Sequence, residues 1–204
     1  MLSVRNIHVY YGSSHILQGV SLDVKENEVV SILGRNGAGK TTTMKAIMGL
    51  VPVKSGEIAF GQQAITNLPA FQVARKGIGY VPQGRHMFPR LTVLENLRTG
   101  TADREQSVAL QRIFSIFPVL HERLSQAGMT LSGGEQQQLC VARALATTPR
   151  FILMDEPTEG LMPSLVSKVK EVIRQITKQG IAVLLAEQRV PIALELSDRV
   201  IIME

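Results

Sequence analysis

The sequence predicts an α/β fold: a mainly parallel sheet with helices on both faces, extended by an antiparallel β part and a small helical insert. Three observations carry this. Short apolar runs of strand length recur at 28–33, 151–154 and 181–186, and they are continuous rather than alternating. Strands buried on both faces read this way. Helical patterns separate the runs, as parallel connections require. The opening segments, 2–10 and 20–24, read instead as an antiparallel hairpin. At 204 residues the chain suffices for one such domain with a core, and it is read as a single domain over 1–204.

The elements follow in order. E-V-V-S-I-L at 28–33 is a compact buried strand running directly into a glycine-rich stretch, and 40–50 then carries helical apolar spacing. Pro52 and Gly56 punctuate the exit, and 57–60 and 78–81 are further short strands. The segment 93–123 is polar and helical in pattern, with breaks near Gly100 and Pro118. It forms the heart of an insert spanning about 84–146. Ser132 is a suitable N-cap for a helix over 133–146, with Glu135 three residues on as in a capping box. A strand at 151–154 ends in Asp155. A helix over 164–178 is capped by Gly180, and a strand at 181–186, a short helix at 191–196 and a last strand at 199–203 follow.

Composition excludes several classes. Hydrophobic residues make up 45% and charged residues 19%, a globular rather than a disordered balance. No run approaches the roughly 18 apolar residues of a spanning helix, and no secretory leader is evident. The single cysteine, Cys140, cannot form an intrachain disulfide, which fits a reducing compartment. The net charge of +5 comes from scattered basic residues, which suits a nucleotide-binding protein better than a nucleic-acid or lipid patch.

G-R-N-G-A-G-K-T at 34–41 fits G-x-x-x-x-G-K-[ST] between a strand and a helix, the setting that motif needs. Backbone N–H groups of Gly34, Asn36, Gly37, Ala38 and Gly39 would face phosphate oxygens, with Lys40, Thr41 and Thr42 opening the helix. Glycines let the backbone approach closely, and the helix adds its positive end. Lys40 reaches the β- and γ-phosphates, and the Thr41 hydroxyl can ligate Mg²⁺. F-I-L-M-D-E at 151–156 ends in two acids. Asp155 can hold the Mg²⁺ shell and Glu156 can polarise an attacking water as general base.

L-S-G-G-E-Q-Q from Leu131 resembles the signature of ATP-binding-cassette proteins, written L-S-G-G-Q. The order phosphate loop, Gln83, signature, acidic strand matches as well. The resemblance covers essentially the whole chain and implies a P-loop NTPase fold that hydrolyses ATP with Mg²⁺. It implies a head-to-tail dimer with a second ATPase subunit, where Ser132, Gly133, Gly134 and Glu135 meet the partner's ATP. It implies that Tyr11 stacks on adenine, Tyr10 being the alternative, and that Gln83 touches Mg²⁺ and the attacking water. Integral-membrane permease subunits and, indirectly, a solute-binding protein are the implied partners, with no nucleic acid. The implied location is cytoplasmic, on the inner face of the membrane. Phe88, Leu91 and Val93 are candidates for the permease-docking groove, core packing being equally open for Val93.

The pattern departs from the family at two places. Gln188 stands where many members carry a histidine against the γ-phosphate, and Met162 stands where the post-catalytic loop carries aspartate. Hydrolysis is therefore expected to lack a histidine titration near neutral pH. These departures resemble the importers of branched-chain and other hydrophobic amino acids. Y-Y-G-S-S-H-I-L, Y-V-P-Q-G-R and D-E-P-T-E-G resemble the urea and short-amide importers of that branch more closely still. The chain stops at Glu204, where relatives continue, so a shortened C-terminus is expected. A cassette ATPase acting on DNA or ribosomes shares these motifs, but its usual coiled coils, zinc insertions or tandem cassette are not in the sequence. A P-loop kinase explains neither the signature nor Glu156. Cys140 and the methionines read as core, and His8, His15, His86 and His121 as scattered surface or packing residues.

Overall fold

A computed structural model of the chain describes residues 1–100 and 106–204. Residues 101–105 of the expected insert lie outside the described residues. In chain order, a hairpin of β1 (Leu2–Tyr11) and β2 (Ser14–Val24) leads to β3 (Val29–Leu33) and helix α1 (Lys40–Ile47). β4 (Ser55–Phe60), β5 (Gln63–Ala64), α2 (Ala70–Arg75) and β6 (Ile78–Val81) come next. Between β6 and β7 (Phe151–Asp155) the described chain is helical. It holds α3 (Val93–Arg98), α4 (Gln106–Ile116), α5 (Pro118–Glu122), a 3-10 turn at Gly128–Thr130 and α6 (Gly133–Ala146). α7 (Pro163–Lys178), β8 (Ala182–Glu187), α8 (Val190–Leu196) and β9 (Arg199–Ile202) follow.

The strands form two sheets. One is antiparallel, in the order β2-β1-β4-β5. The other is parallel, in the order β6-β7-β8-β3-β9. Side chains of a strand alternate between its faces, and here each face has its own core. Phe151 and Leu153 of β7, with Ala182, Leu184 and Ala186 of β8, join α1 and the antiparallel sheet. Ile152 and Met154, with Val183 and Leu185, join α3, α6 and α7 on the other side. This is why these strands read as unbroken apolar runs. α7 contributes Val166, Val169, Val172, Ile173 and Ile176, an apolar stripe at helical spacing.

Local chemistry sets the boundaries. Ser132 and Glu135 form the expected reciprocal capping box at α6, and Thr92 and Glu95 form a second one at α3. Pro118 and Pro163 occupy the first positions of α5 and α7, where the missing N–H costs nothing. α1 stops at Ile47 rather than continuing to 50, because Gly49 adopts φ +68° and ends the helix. β2 starts at Ser14, well before the expected 20. Register irregularities in β1 obscure the alternation there. The short α2 and β5 carry no periodic signal and were not anticipated. Cys140 is buried in the core as expected, and burial pushes its thiol up to about 11. Val93 is fully buried, so it belongs to the core rather than to a groove. Met44, Met48 and Met154 are core residues, but Met129 and Met162 are exposed.

β3, β6, β7 and β8 all end on one edge of the parallel sheet. Open α/β sheets gather ligands outside the carboxyl ends of their strands, and the residues singled out above follow those ends.

Candidate functional site

The 34–41 loop joins β3 to α1. Gly39 is the N-cap of α1, at φ +97°, and a Cβ there would lie 2.6 Å from Leu17 Cδ2. Only glycine tolerates both the backbone and the contact. The first turn of α1 carries no acid of its own, so nothing within the helix offsets its positive end. Lys40 is 4% exposed, and its three donors all have partners. Nζ donates to Gly34 O at 2.8 Å and to Arg35 O at 3.1 Å, and pairs with Glu156 Oε1 at 3.1 Å.

β7 delivers Asp155, which is buried, and the chain then turns at Glu156 with φ +48°. That left-handed turn is held by the Glu156 N–H donating to Ala186 O at 3.0 Å. Thr41 Oγ1 donates to Asp155 Oδ1 at 3.1 Å, and the Tyr80 hydroxyl lies 3.4 Å from Asp155 Oδ2. Burial, and then the charge of Glu156, raise the Asp155 carboxyl above its ordinary 3.8, against the Thr41 and Tyr80 hydrogen bonds and the charge of Lys40. Burial and the charge of Asp155 raise the Tyr80 phenol.

Glu156 is the hub. Its Oε2 accepts from Gln188 Nε2 at 2.9 Å and lies 3.4 Å from Gln83 Nε2. Gln83 Nε2 also donates to Glu159 Oε2 at 2.8 Å. Gln188 thus occupies the position at the end of β8 from which it reaches the general-base candidate. Its neighbour Glu187 is buried, in contact with the Thr158 hydroxyl, and accepts from the Gln188 N–H at 3.2 Å. Arg189 Nη2 donates to Thr158 O at 2.7 Å, which completes a tie between β8 and the turn after Glu156.

Tyr11, Gly39, Lys40, Thr41, Gln83 and Glu156 line one cavity of about 420 Å³, together with Asn36, Gly37 and Thr42. Gly34, Ala38 and Gln188 line the recess on the far side of the loop. Tyr10 is not in the cavity; its ring stacks on His15 at 4.1 Å. Ser132, Gly133, Gly134 and Glu135 open α6 outside the cavity. There a Cβ on Gly134 would lie 2.6 Å from Leu165 Cδ2, and one on Gly133 would lie 2.8 Å from the Arg85 guanidinium.

The charge balance decides what this pocket can accept. Two buried carboxylates, Asp155 against Thr41 and Glu156 against Lys40, meet the buried cation Lys40 at the start of α1. The oxygen-only donors Thr41 and Asp155 suit a hard divalent cation such as Mg²⁺. The glycine loop and the α1 N-terminus suit an anion beside it.

Sequence reasoning reads Glu159, Glu187 and Tyr80 only as marks of resemblance and gives none of them a place in the site. The histidines are surface or packing residues, as expected: His86 and His121 are exposed, and His8 Nδ1 and His15 Nε2 lie 3.0 Å apart across the hairpin, a cross-strand contact that leaves no local spacing to read.

Comparison with known proteins gives a consistent outcome. The family model described as ABC transporter matches residues 17–159. The chain is 40% identical over 207 residues to the high-affinity branched-chain amino acid transport ATP-binding protein BraG of Pseudomonas aeruginosa, covering all of this chain and 89% of that one. It is 38% identical to the lipopolysaccharide export system ATP-binding protein LptB of Escherichia coli, over 97% of this chain and 84% of that protein. Among solved structures, a nucleotide-free ATP-binding cassette from an ABC transporter superposes with a TM-score of 0.88 at 29% identity, over 100% of this chain and 87% of that one. A dimeric post-hydrolysis cassette bound to ADP and Pi superposes at 0.85 with 27% identity, over 100% and 94%.

Proposed function

The chain belongs to the ABC transporter family, and from that premise we propose that it is the ATP-hydrolysing subunit of an importer of branched-chain amino acids or of urea and short amides. The single observation that carries the catalytic part is the setting of Glu156, held between Lys40 and Gln188 at the end of β7. The loop amides of Gly34 to Gly39, with Lys40 and Thr42, bind the phosphates, and Tyr11 supports the adenine. Thr41, Asp155 and Gln83 would hold Mg²⁺, which when bound neutralises charge on the phosphate oxygens. Lys40 turns from Glu156 to the γ-phosphate, and Glu156, freed of its cation, accepts a proton from the attacking water. Gln188 keeps the Glu156 carboxylate oriented through its amide N–H.

In this reading residues about 84–146 form the inserted helical subdomain. Ser132, Gly133, Gly134 and Glu135 face the nucleotide of a second ATPase subunit in a head-to-tail dimer. Exposed Phe88 and its neighbour Leu91 face a permease subunit. Among the described residues no helix is long and apolar enough to cross a membrane. By its membership of the family, the place that fits is the cytoplasmic face, beneath membrane subunits fed by a solute-binding protein. The expected behaviour of Glu156→Gln is undiminished ATP binding, hydrolysis reduced by about 10²–10⁴, and an ATP-dependent dimer detected by light scattering. Turnover near the parent rate removes Glu156 from the role.

The import branch is favoured by the Glu187–Gln188 pair in place of a histidine and by the name of the P. aeruginosa relative. The LptB relatives, named for export, are its rival. The complex purified with its membrane subunits and reconstituted with its binding protein separates them: ATPase stimulation by leucine or by urea supports import, and stimulation by neither removes it.

A further inference from the structure

Two carboxylates of one tight turn meet a single amide. The Glu159 N–H donates to the Glu156 carbonyl at 3.1 Å, and left-handed Glu156 and Gly160, at φ +48° and +64°, bracket the turn. The bend brings both side chains toward Gln83, whose Nε2 lies 2.8 Å from Glu159 Oε2 and 3.4 Å from Glu156 Oε2. An ionised carboxylate only accepts hydrogen bonds, so only the NH₂ end of the amide can face this pair. The two ends of a glutamine amide are nearly equal in shape, and a free side chain can present either. Here the carboxylates select one, leaving Oε1 as the free end of a side chain that lines the same cavity as Thr41 and Lys40. A hard cation is ligated by oxygen and never by an amide nitrogen.

We propose that Glu159 is a positioning residue for the metal site: by holding Nε2 of Gln83 it fixes the amide in the orientation that offers Oε1 to Mg²⁺. The inference rests on the reading of Gln83 as a Mg²⁺ ligand. Glu156 is the weaker holder, because its Oε2 lies 3.4 Å from Nε2 against 2.8 Å for Glu159 and already accepts from Gln188. Glu159 is exposed, so water screens its charge and its effect passes through Gln83 rather than through a field on the metal.

The test is a double-mutant cycle on the full chain with Glu159→Ala, Gln83→Ala and both together. A fluorescent ATP analogue is titrated without divalent cation, and then with increasing Mg²⁺ to find the half-saturating concentration. Glu159→Ala is expected to raise that concentration by about tenfold, the usual scale for losing a partner that orients a metal ligand. Cation-free nucleotide binding stays unchanged, which a merely structural defect would not allow. Glu159→Gln behaves like the alanine variant, because its own amide offers both a donor and an acceptor and no longer selects the orientation. In the Gln83→Ala background, Glu159→Ala adds nothing further. An unchanged Mg²⁺ requirement in Glu159→Ala, beside a raised one in Gln83→Ala, overturns the proposal alone. The same factor appearing on top of Gln83→Ala also overturns it, since Glu159 would then act by charge. A Gln83→Ala variant with the parent Mg²⁺ requirement sinks the reading of Gln83 and the proposal with it.

Discussion

Lys40 and Glu156 depend on each other before any nucleotide is considered. Both are buried, and breaking a buried pair from one side strands a charge, at a cost of about 3–5 kcal/mol. Lys40→Ala is therefore expected to lower the thermal midpoint as well as to abolish phosphate binding. Adding Glu156→Gln should restore part of the lost stability; a double variant less stable than Lys40→Ala argues that the pair contributes nothing to folding. Gln188 sets a second expectation at this scale. No histidine among the described residues hydrogen-bonds to Lys40, Gln83, Asp155, Glu156 or Gln188. Gln188→His would put an imidazole against the Glu156 carboxylate, and its pH–rate profile should gain a limb above the ordinary histidine value of about 6.5, because the neighbouring negative charge favours the imidazolium. The parent should show no such limb; one that disappears when a native histidine is replaced contradicts this. Lys40, Asp155, Glu156 and Gln188 were legible because each lies in or beside a contiguous motif. Glu159 was not, because its partner Gln83 is 76 residues away and no spacing encodes the contact.

At the scale of elements, α6 was read correctly to the residue because its start is a local chemical device. Burial alone would lift the Glu135 carboxyl, but the Ser132 hydroxyl and N–H, with the charge of Arg123, outweigh it and hold the group below 4.5. A carboxyl lowered in the folded state contributes stability that is present above 4.5 and lost as pH falls through the lowered value. Glu28 is lowered in the same sense, since Arg199 and the Lys25 N–H outweigh its burial. Urea midpoints should thus drop as pH falls below about 4.5. Glu135→Gln keeps the reach-back bond of the capping box and loses only the charge, so it should cost about 0.3–1 kcal/mol at pH 7, and the difference should vanish in strong acid. A difference that persists there attributes the loss to packing instead. α2 and β5 escaped the reading because six and two residues are too few to show a period. The link between them is fixed by a distant loop instead: Asn67 Oδ1 accepts from the Val53 N–H at 2.7 Å and its Nδ2 donates to the Val53 carbonyl at 2.9 Å.

The whole molecule is organised by its parallel sheet. That such a sheet exists was legible in the unbroken apolar runs. Its strand order was not, because β3 pairs with β8 and β9 across more than 150 residues of chain. Leu184 and Leu185 are adjacent in sequence, yet they serve opposite cores. Alanine at either should cost about 2–5 kcal/mol. Because β8 is common to both cores, urea unfolding followed by circular dichroism should stay a single transition in both variants. Two resolved transitions would mean that the cores melt independently. The alternation also makes β7 and β8 behave like a parity code. Exchanging one apolar residue for another leaves each position on its side, but inserting or deleting a single residue swaps the assignment of every position beyond it. In β7 the swap would run on into Asp155 and Glu156 and turn the acidic pair away from the phosphate loop. Lineages of this chain can therefore drift by substitution along these strands, whereas length changes have to be confined to the connections between them.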